Sequence, residues 1–326
     1  MQIAILGAGS WGTALACLLS QIGHDIVLWS KKSMVVNEIN SYHTNTKYCS
    51  NKIIPVCIKA TNDIEDVKNS DIVFFVVPTS AIKSMAHLIL TAGCINPTTI
   101  LVSCSKGIDA ECLELPFSTL ECYFPSNPIA VLSGPNFASE IMDGKPAAAN
   151  IASYNISIAK IISDAMNHNS FSAYPVNDPI AVQVAGIVKN IVAISCGLAM
   201  GWNMGENARA IAFSMGLAEM SSLCETMGGD KNNLLGLAGI GDLFLTCAST
   251  NSRNNKLGVS IAQGVKINSN TLVEGALSTA GLRILAIKLG LHMPLCNFVS
   301  GVVSGNVLAC SKQYSSVLLC RHSETV

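Results

Sequence analysis

The sequence predicts an α/β protein in which a doubly wound parallel sheet is followed by an all-helical region. Three observations support this class. Short apolar runs alternate with helix-length segments as far as residue 178, a glycine-rich turn follows the first run, and no strand pattern occurs from Pro179 onward. Strands that alternate with helices favour a parallel sheet with helices on both faces. We therefore predict one domain at residues 1–178 and an all-helical domain at residues 179–326.

The first strand and the turn after it carry the strongest signal. Residues 3–6 form an unbroken apolar run, as in a central parallel strand that is buried on both faces. Gly7, Gly9 and Gly12 follow in G-x-G-x-x-G order and lead into helical apolar spacing. Gly7 permits the tight turn, Gly9 lets a pyrophosphate approach the backbone, and Gly12 lets helix and strand pack closely. This context predicts a dinucleotide-binding fold; the alternative is a glycine-rich turn of another α/β domain.

The end of the second strand, residues 25–29, bears on the choice of cofactor. An acidic residue there would bond the ribose 2′-hydroxyl and repel a 2′-phosphate. The sequence has Ser30-Lys31-Lys32 instead. Two lysines without an acid favour NADP, or at least tolerate it; the alternative is that both are solvated loop residues.

Further strands are predicted downstream, and two of them end in segments typical of a ligand site. The strands are predicted at residues 71–78, 99–103, 129–133, 147–152 and 171–176, while residues 33–70 are expected to form a helix and loops. Ligands in such sheets bind beyond the carboxyl ends of the strands. Lys106 follows one strand, and the turn from Gly134 to Asn136 follows the next. For Lys106, position alone leaves an exposed loop lysine equally open.

The helical region carries three further candidates. Lys189 is the one charge in the apolar stretch 179–200, where a buried cation is costly unless it has a partner. Desolvation would lower its pKa, as a proton donor needs; the alternative is a lysine that reaches water from a helix edge. Asp242 follows a flexible glycine-rich stretch. Ser252 is a good helix N-cap, and with Arg253 and Asn254 after it the helix start suits a phosphate; the alternative is an ordinary cap.

Composition limits the remaining possibilities. The chain has 326 residues, of which 50% are hydrophobic and 13% charged, with a net charge of −1. The sequence contains no run of five like charges, so nothing in it indicates a nucleic acid or a membrane surface as partner. The 13 scattered cysteines include no C-x-x-C pair, which favours a reducing, cytoplasmic location over disulfides or a metal site. Two uncharged stretches, residues 190–205 and 289–311, are interpreted as buried helices and not as membrane spans. The high apolar fraction predicts a homodimer.

Taken together, these motifs resemble bacterial NAD(P)-dependent glycerol-3-phosphate dehydrogenases over nearly the whole chain. The matching motifs, in order, are Gly7-Ala8-Gly9-Ser10-Trp11-Gly12-Thr13-Ala14-Leu15, Ser105-Lys106-Gly107, Ser133-Gly134-Pro135, Val188-Lys189-Asn190, Gly216-Leu217-Ala218-Glu219-Met220, Gly239-Ile240-Gly241-Asp242-Leu243, Ser252-Arg253-Asn254 and Val273-Glu274-Gly275. The resemblance implies reversible reduction of dihydroxyacetone phosphate to sn-glycerol 3-phosphate with NADPH or NADH and without a metal, feeding phospholipid synthesis.

The resemblance also implies a role for individual residues. Lys189 would exchange the proton at the carbonyl oxygen, with Lys106 and Asp242 in the same site. The phosphate would be held by Ser252, Arg253 and Asn254, with Gly134 and Asn136 nearby. The cofactor would face Ser10, Trp11, Lys31, Tyr48, Ala138, Leu272 and Glu274, with Lys106 and Arg253 reaching both ligands. Asn136 stands where the family more often has Ser or Thr, and Lys31 replaces the more usual Arg or His.

Two other functions fit part of the sequence. A related two-domain dehydrogenase acting on a β-hydroxyacid or 2-ketoacid would share the fold and a helix lysine, but it would not need an Arg-Asn helix start suited to a phosphate monoester. A redox-sensing module that binds NAD(P) without turnover would have no reason to place Lys106, Lys189 and Asp242 near the nicotinamide end.

Overall fold

The computed structural model describes residues 1–265 and 274–319, and the chain divides into two compact units. Unit 1 comprises Met1–Lys106 and Leu115–Val182, and unit 2 comprises Gly107–Glu114 and the chain from Gln183 onward. The division falls inside one long helix.

Unit 1 is built on an eight-stranded sheet. Its strands are β1 Gln2–Leu6, β2 Asp25–Trp29, β3 Lys59–Thr61, β4 Ile72–Phe75, β5 Ile100–Ser103, β6 Ile129–Ser133, β7 Ala147–Ala152 and β8 Phe171–Val176. They lie in the order β3-β2-β1-β4-β5-β6-β7-β8. The first six strands are parallel and follow the doubly wound order: the chain adds strands on one side of β1 as far as β3 and then on the other side from β4 onward. A dinucleotide site is therefore expected where β1 ends.

Helices connect these strands, and the central strands are buried. The helices are α1 Ser10–Ile22, α2 Ser33–Tyr42, α3 Ile82–Ala92, α4 Pro116–Tyr123, α5 Ala138–Met142 and α6 Ile156–Met166. All four residues from Ile3 to Leu6 have no exposed surface, as expected of a central parallel strand. Leu15 and Leu19 of α1 belong to the same buried core as Ile3 and Ile5.

The predicted fold class is confirmed, with three differences in detail. β3 was not predicted, because a three-residue strand that has Lys59 exposed gives no periodic signal. β4 ends at Phe75 and not at Pro78. The sheet also departs from a fully parallel arrangement at one pair, since β6 and β7 are antiparallel.

Unit 2 contains helices and no strand among its described residues. After α7 Pro179–Gly201, which begins in unit 1, come α8 Gly205–Thr226, α9 Asp242–Ala248, α10 Arg253–Ala262, α11 Glu274–Lys288, α12 Pro294–Val303 and α13 Ser311–Leu318. By length and composition alone α7 could cross a membrane, but 89% of its apolar stretch is buried inside the protein, as in a core helix.

Three contacts hold these helices together. α7 and α10 touch through their backbones, because a Cβ added to Gly197 would lie 2.1 Å from the Asn255 carbonyl oxygen. The buried Glu219 carboxylate of α8 accepts the first backbone N–H groups of α12, at 2.7 Å from Leu295 and 3.0 Å from Cys296. The Tyr314 hydroxyl of α13, fully buried, bonds the Ser195 side chain and carbonyl of α7 at 2.7 and 2.9 Å.

Candidate active site

The glycine-rich turn after β1 requires glycine at two of its three motif positions. Gly7 has a φ of +121°, and a Cβ there would lie 2.3 Å from the Val76 carbonyl oxygen. A Cβ on Gly12 would lie 1.8 Å from the Gly7 oxygen, so helix and strand pack here without room for a side chain. The space above Gly9 is open, since no atom of residues 1–265 or 274–319 lies within 4 Å of an added Cβ.

Helix α1 starts directly after this turn. Gly9 is its N-cap, and among the described residues no side chain caps the helix. The first N–H groups of an α-helix have no partner within the helix, and they carry the positive end of its dipole. An open space in front of an uncapped helix start fits a pyrophosphate, so the residues present suit a dinucleotide.

The segment after α2 lies against the same turn. The Ser10 hydroxyl donates to the Tyr48 carbonyl oxygen at 2.7 Å, and the Lys32 ammonium donates to the Tyr48 hydroxyl at 2.8 Å. Lys32 and Lys47 lie 5.5 and 5.6 Å from the centre of the Tyr48 ring. The bond to Tyr48 raises the pKa of Lys32, so that this lysine stays cationic. Lys31, the lysine expected from the resemblance, is exposed beside them.

The turns after β5 and β6 are in contact. The Lys106 ammonium donates to the Gly134 carbonyl oxygen at 3.2 Å. The Asn136 amide, with its nitrogen facing two carbonyl oxygens, donates to Ala148 and Pro135 at 3.1 Å. Two of the predicted substrate residues, Lys106 and Gly134, are thus brought together, while Asn136 bonds the backbone around it. Ala138 and Trp11 are partly buried against the core of unit 1.

Lys189 forms a buried ion pair in unit 2. Only 6% of Lys189 and 1% of Asp242 is exposed. The ammonium donates to Asp242 Oδ1 at 2.6 Å and to Thr246 Oγ1 at 3.1 Å. A buried cation needs such partners, so the alternative of a lysine that reaches water is wrong.

Two features of the chain place Asp242 and Thr246 for this contact. Before α9 the chain forms a single wide helical turn, Leu237–Gly241, in which Gly239 has non-helical angles and packs against the Leu234 carbonyl. Asp242 then opens α9, where the helix dipole favours a carboxylate. Thr246, one turn later on the same face, donates to the Asp242 carbonyl at 2.6 Å. Sequence reasoning missed Thr246, although its spacing of four residues from Asp242 was a usable signal.

The start of α10 has the predicted cap. The Ser252 hydroxyl accepts the Asn255 N–H at 3.2 Å, so the predicted N-cap is confirmed. The buried Asn254 amide donates to Asn190 at 2.9 Å and accepts the Gly275 N–H at 3.2 Å. Asn190 follows Lys189 in α7, so these bonds tie the helix start to the neighbour of the lysine; sequence reasoning gave Asn190 no role. Arg253 is exposed at the first position of the helix.

Two of the predicted cofactor residues lie at the start of α11 or just before it. Leu272 lies outside the described residues, and Glu274 is the first residue of α11. Within residues 1–265 and 274–319, no group of three or more His, Cys, Asp or Glu side chains could hold a metal ion.

Comparison with known proteins decides the family. Residues 2–159 match the family model of the NAD-dependent glycerol-3-phosphate dehydrogenase N-terminus, and residues 178–310 match that of the corresponding C-terminus. The chain belongs to this family. The family predicted from the motifs is thereby confirmed.

Similar proteins agree over nearly the full length. A glycerol-3-phosphate dehydrogenase (NAD(P)+) of Hyphomonas neptunium is 34% identical over 308 residues, covering 93% of this chain and 91% of the relative. One from Zymomonas mobilis is 36% identical, covering 93% of this chain and 89% of the relative. The crystal structure of the Coxiella burnetii glycerol-3-phosphate dehydrogenase superposes with a TM-score of 0.92 at 34% identity, covering 98% and 99% of the two chains.

The rival dehydrogenase class shares the architecture more distantly. A ketopantoate reductase of Ralstonia eutropha superposes over 97% of this chain and all of its own, with a TM-score of 0.64 at 16% identity. At that identity the likeness concerns the fold alone.

Proposed function

We propose that this protein is an NAD(P)-dependent oxidoreductase that reversibly reduces dihydroxyacetone phosphate to sn-glycerol 3-phosphate, with Lys189 as the proton donor and acceptor. Family membership supports the activity. The observation that supports Lys189 as the proton donor is its buried ion pair with Asp242. This pair holds the charged Nζ atom of Lys189 in one place among apolar residues.

The chemistry demands a cation and a proton at one oxygen. NAD(P)H supplies the hydride when it is bound. The protein must stabilise the negative charge that develops on the carbonyl oxygen and must protonate it. The Lys189 ammonium can do both, and its bonds to Asp242 and Thr246 fix its direction before the substrate binds. Lys106, held by the Gly134 carbonyl, would add to the positive field.

The glycine turn and the segment after α2 would hold the cofactor. Gly7, Gly9 and Gly12 would let the pyrophosphate reach the start of α1. The further cofactor contacts that we propose are Ser10, Trp11, Lys31, Tyr48, Lys106, Ala138, Arg253, Leu272 and Glu274. The cations around Tyr48 and the lack of an acid at the end of β2 support a preference for NADP.

The start of α10 would hold the substrate phosphate. Its exposed Arg253 can bond a phosphate bidentately, and the cap at Ser252 leaves the helix dipole directed at the same place. Asn254, Gly134 and Asn136 complete the proposed phosphate and substrate contacts. Binding of the phosphate, which lies away from the reacting carbon, would orient the carbonyl group for hydride transfer.

Assembly, domain limits and location are also proposals. We propose that the domains comprise residues 1–178 and 179–326. We also propose that the protein is a cytoplasmic homodimer and that its product feeds phospholipid synthesis. Helix α11 exposes three large apolar side chains, those of Leu277, Ile284 and Ile287. An exposed apolar face of this kind supports a dimer in which a second copy of the chain covers it. Sedimentation at micromolar concentration tests the dimer, and a monomeric mass would exclude it.

The first experiment follows NADPH absorbance with dihydroxyacetone phosphate. Lys189→Ala should lose kcat, and Arg253→Ala should chiefly raise the KM of the phosphate substrate. Lys160→Ala is the control, because Lys160 is an exposed lysine on α6, a helix that carries no residue of the proposed site. Turnover of a 2-ketoacid but not of dihydroxyacetone phosphate would favour the rival dehydrogenase. Binding of NADPH without turnover of either substrate would favour the sensing module.

A further inference from the structure

The segment between α2 and β3 contains a fully buried asparagine. Asn45 has no exposed surface, whereas the next two residues, Thr46 and Lys47, are exposed. Asparagine is usually a surface residue, and burying its amide is costly unless hydrogen bonds replace the lost water. The contacts of Asn45 therefore have to account for its position.

The Asn45 amide nitrogen joins this segment to the glycine turn. It donates to the Ala8 carbonyl oxygen at 3.0 Å and to the Thr13 hydroxyl at 2.9 Å. Ala8 lies between the first two motif glycines, and Thr13 lies in the first turn of α1. A single amide thus holds both sides of the turn at once.

The Asn45 backbone shapes the next four residues. Its carbonyl oxygen accepts the N–H groups of Tyr48 at 3.0 Å and Cys49 at 2.7 Å, which closes a tight turn. The Tyr48 carbonyl in turn accepts the Ser10 hydroxyl at 2.7 Å. The position of Tyr48 against Ser10 thus depends on where Asn45 is anchored.

Glu38 of α2 fixes the other side of the segment. Its carboxylate accepts the Thr46 N–H at 2.7 Å and the Thr44 hydroxyl at 3.0 Å. These bonds lower the pKa of Glu38 and keep it ionised, and the bond from the Thr46 backbone N–H has the largest effect. Residues 44–46 are thus attached to α2 on one side and to the glycine turn on the other.

We propose that Asn45 is a positioning residue for the cofactor, which holds Ser10 and Tyr48 against the glycine turn so that the site is formed before NAD(P)H binds. The inference rests on the proposal that this turn binds the pyrophosphate. It also explains why an amide stands at this position. The Ala8 carbonyl can only accept, so a carboxylate at residue 45 would turn an oxygen toward it and would add a negative charge near the phosphates.

The test measures NADPH affinity directly and kinetics separately. Asn45→Ala and Asn45→Asp are titrated with NADPH by calorimetry, and in the assay each substrate is varied while the other is kept saturating. Because the free site would lose its preorganisation, we expect the Kd and KM for NADPH to rise about tenfold or more. The value of kcat at saturating NADPH and the KM of dihydroxyacetone phosphate should stay within about twofold of wild type, since Asn45 acts only on cofactor binding.

A matched control removes a similar amide from the same helix region. Asn40 of α2 bonds the backbone of Ala60 in β3 at 2.9 and 3.0 Å, so its amide holds β3 and not the glycine turn. Asn40→Ala should keep the Kd for NADPH. An equal rise in the Kd for Asn40→Ala and Asn45→Ala would mean a general structural effect and would overturn the proposal.

Thr13 provides a second route if the Asn45 variants fail to fold. Thr13→Val removes one acceptor of the amide and should weaken NADPH binding several-fold, the effect of one lost hydrogen bond. Thr13→Ser keeps the hydroxyl and should bind as wild type does. Equal binding by these two variants would overturn the role of Asn45.

Gly9→Ala separates this proposal from the one it rests on. Weaker NADPH binding by Gly9→Ala with normal binding by Asn45→Ala would leave the cofactor site in place and refute the role of Asn45. Normal binding by Gly9→Ala would refute the pyrophosphate assignment itself.

Discussion

The substitution Gly9→Ala separates the stability of the glycine turn from its proposed function. Gly9 has φ and ψ of −76° and −175°, an extended conformation that alanine adopts without strain. In the part of the chain that the structure describes, no atom lies within 4 Å of an added Cβ. A glycine-to-alanine change at such a position stabilises a protein by about 0.4–1 kcal/mol, because it restricts the unfolded chain. The unliganded Gly9→Ala protein should therefore unfold slightly above the wild-type temperature.

Cofactor binding should change in the opposite direction. The methyl group would occupy the space through which a pyrophosphate approaches the start of α1. Losing one charge-assisted hydrogen bond there costs about 1.5–3 kcal/mol. That loss corresponds to a rise in the Kd for NADPH of about ten- to 150-fold.

Thermal unfolding without ligand and calorimetric titration with NADPH measure the two effects. Gly12→Ala is the comparison, since its Cβ would lie 1.8 Å from the Gly7 oxygen and should destabilise the fold. Unchanged NADPH affinity in Gly9→Ala would refute the binding argument. A clear loss of stability in the unliganded protein would refute the account of the open space.

Three further predictions concern unit 2. Glu219→Gln should destabilise the protein by about 2 kcal/mol in urea unfolding, because the carboxylate that accepts two N–H groups of α12 is lost; an unchanged midpoint would contradict this. Tyr314→Phe should cost about 1–2 kcal/mol in the same assay through its bonds to Ser195, without changing kcat. The double variant Lys189→Met with Asp242→Leu should be inactive, yet as stable as wild type or about 1–4 kcal/mol more stable. Retained activity in that variant would exclude Lys189 as the proton donor.

Local patterns predicted most of the sheet and missed its shortest strand. β1 and the glycine turn are determined by neighbouring residues, so apolar runs and glycine spacing identify them. β3 has only three residues, and its pairing with β2 joins segments more than 30 residues apart. No period can be recognised over such a length, so tertiary pairing alone makes it a strand.

The candidate site was predicted residue by residue, but its contacts were not. An isolated lysine in an apolar helix marked Lys189, and glycines before an acid marked Asp242. Their bond spans 53 positions, and no local pattern shows that the two side chains meet. Asn45 is the clearest omission. It lies in a polar stretch expected to be helix and loops, and its burial comes from partners 32 and 37 residues away.

The proposed function gives the buried pair between Lys189 and Asp242 a reason that stability alone does not supply. α7 is apolar on most sides, and Ile187, Val188 and Ile191 around the lysine are fully buried or nearly so. Removing two charges from water there costs several kcal/mol per ion, and their mutual attraction offsets this only in part. Apolar side chains of similar size would therefore satisfy packing at lower cost. The bonds to a carboxylate and to a threonine hydroxyl hold the ammonium in one position. The proposed role of Lys189 would need such a fixed position, because protonation of a carbonyl oxygen requires a correctly placed donor.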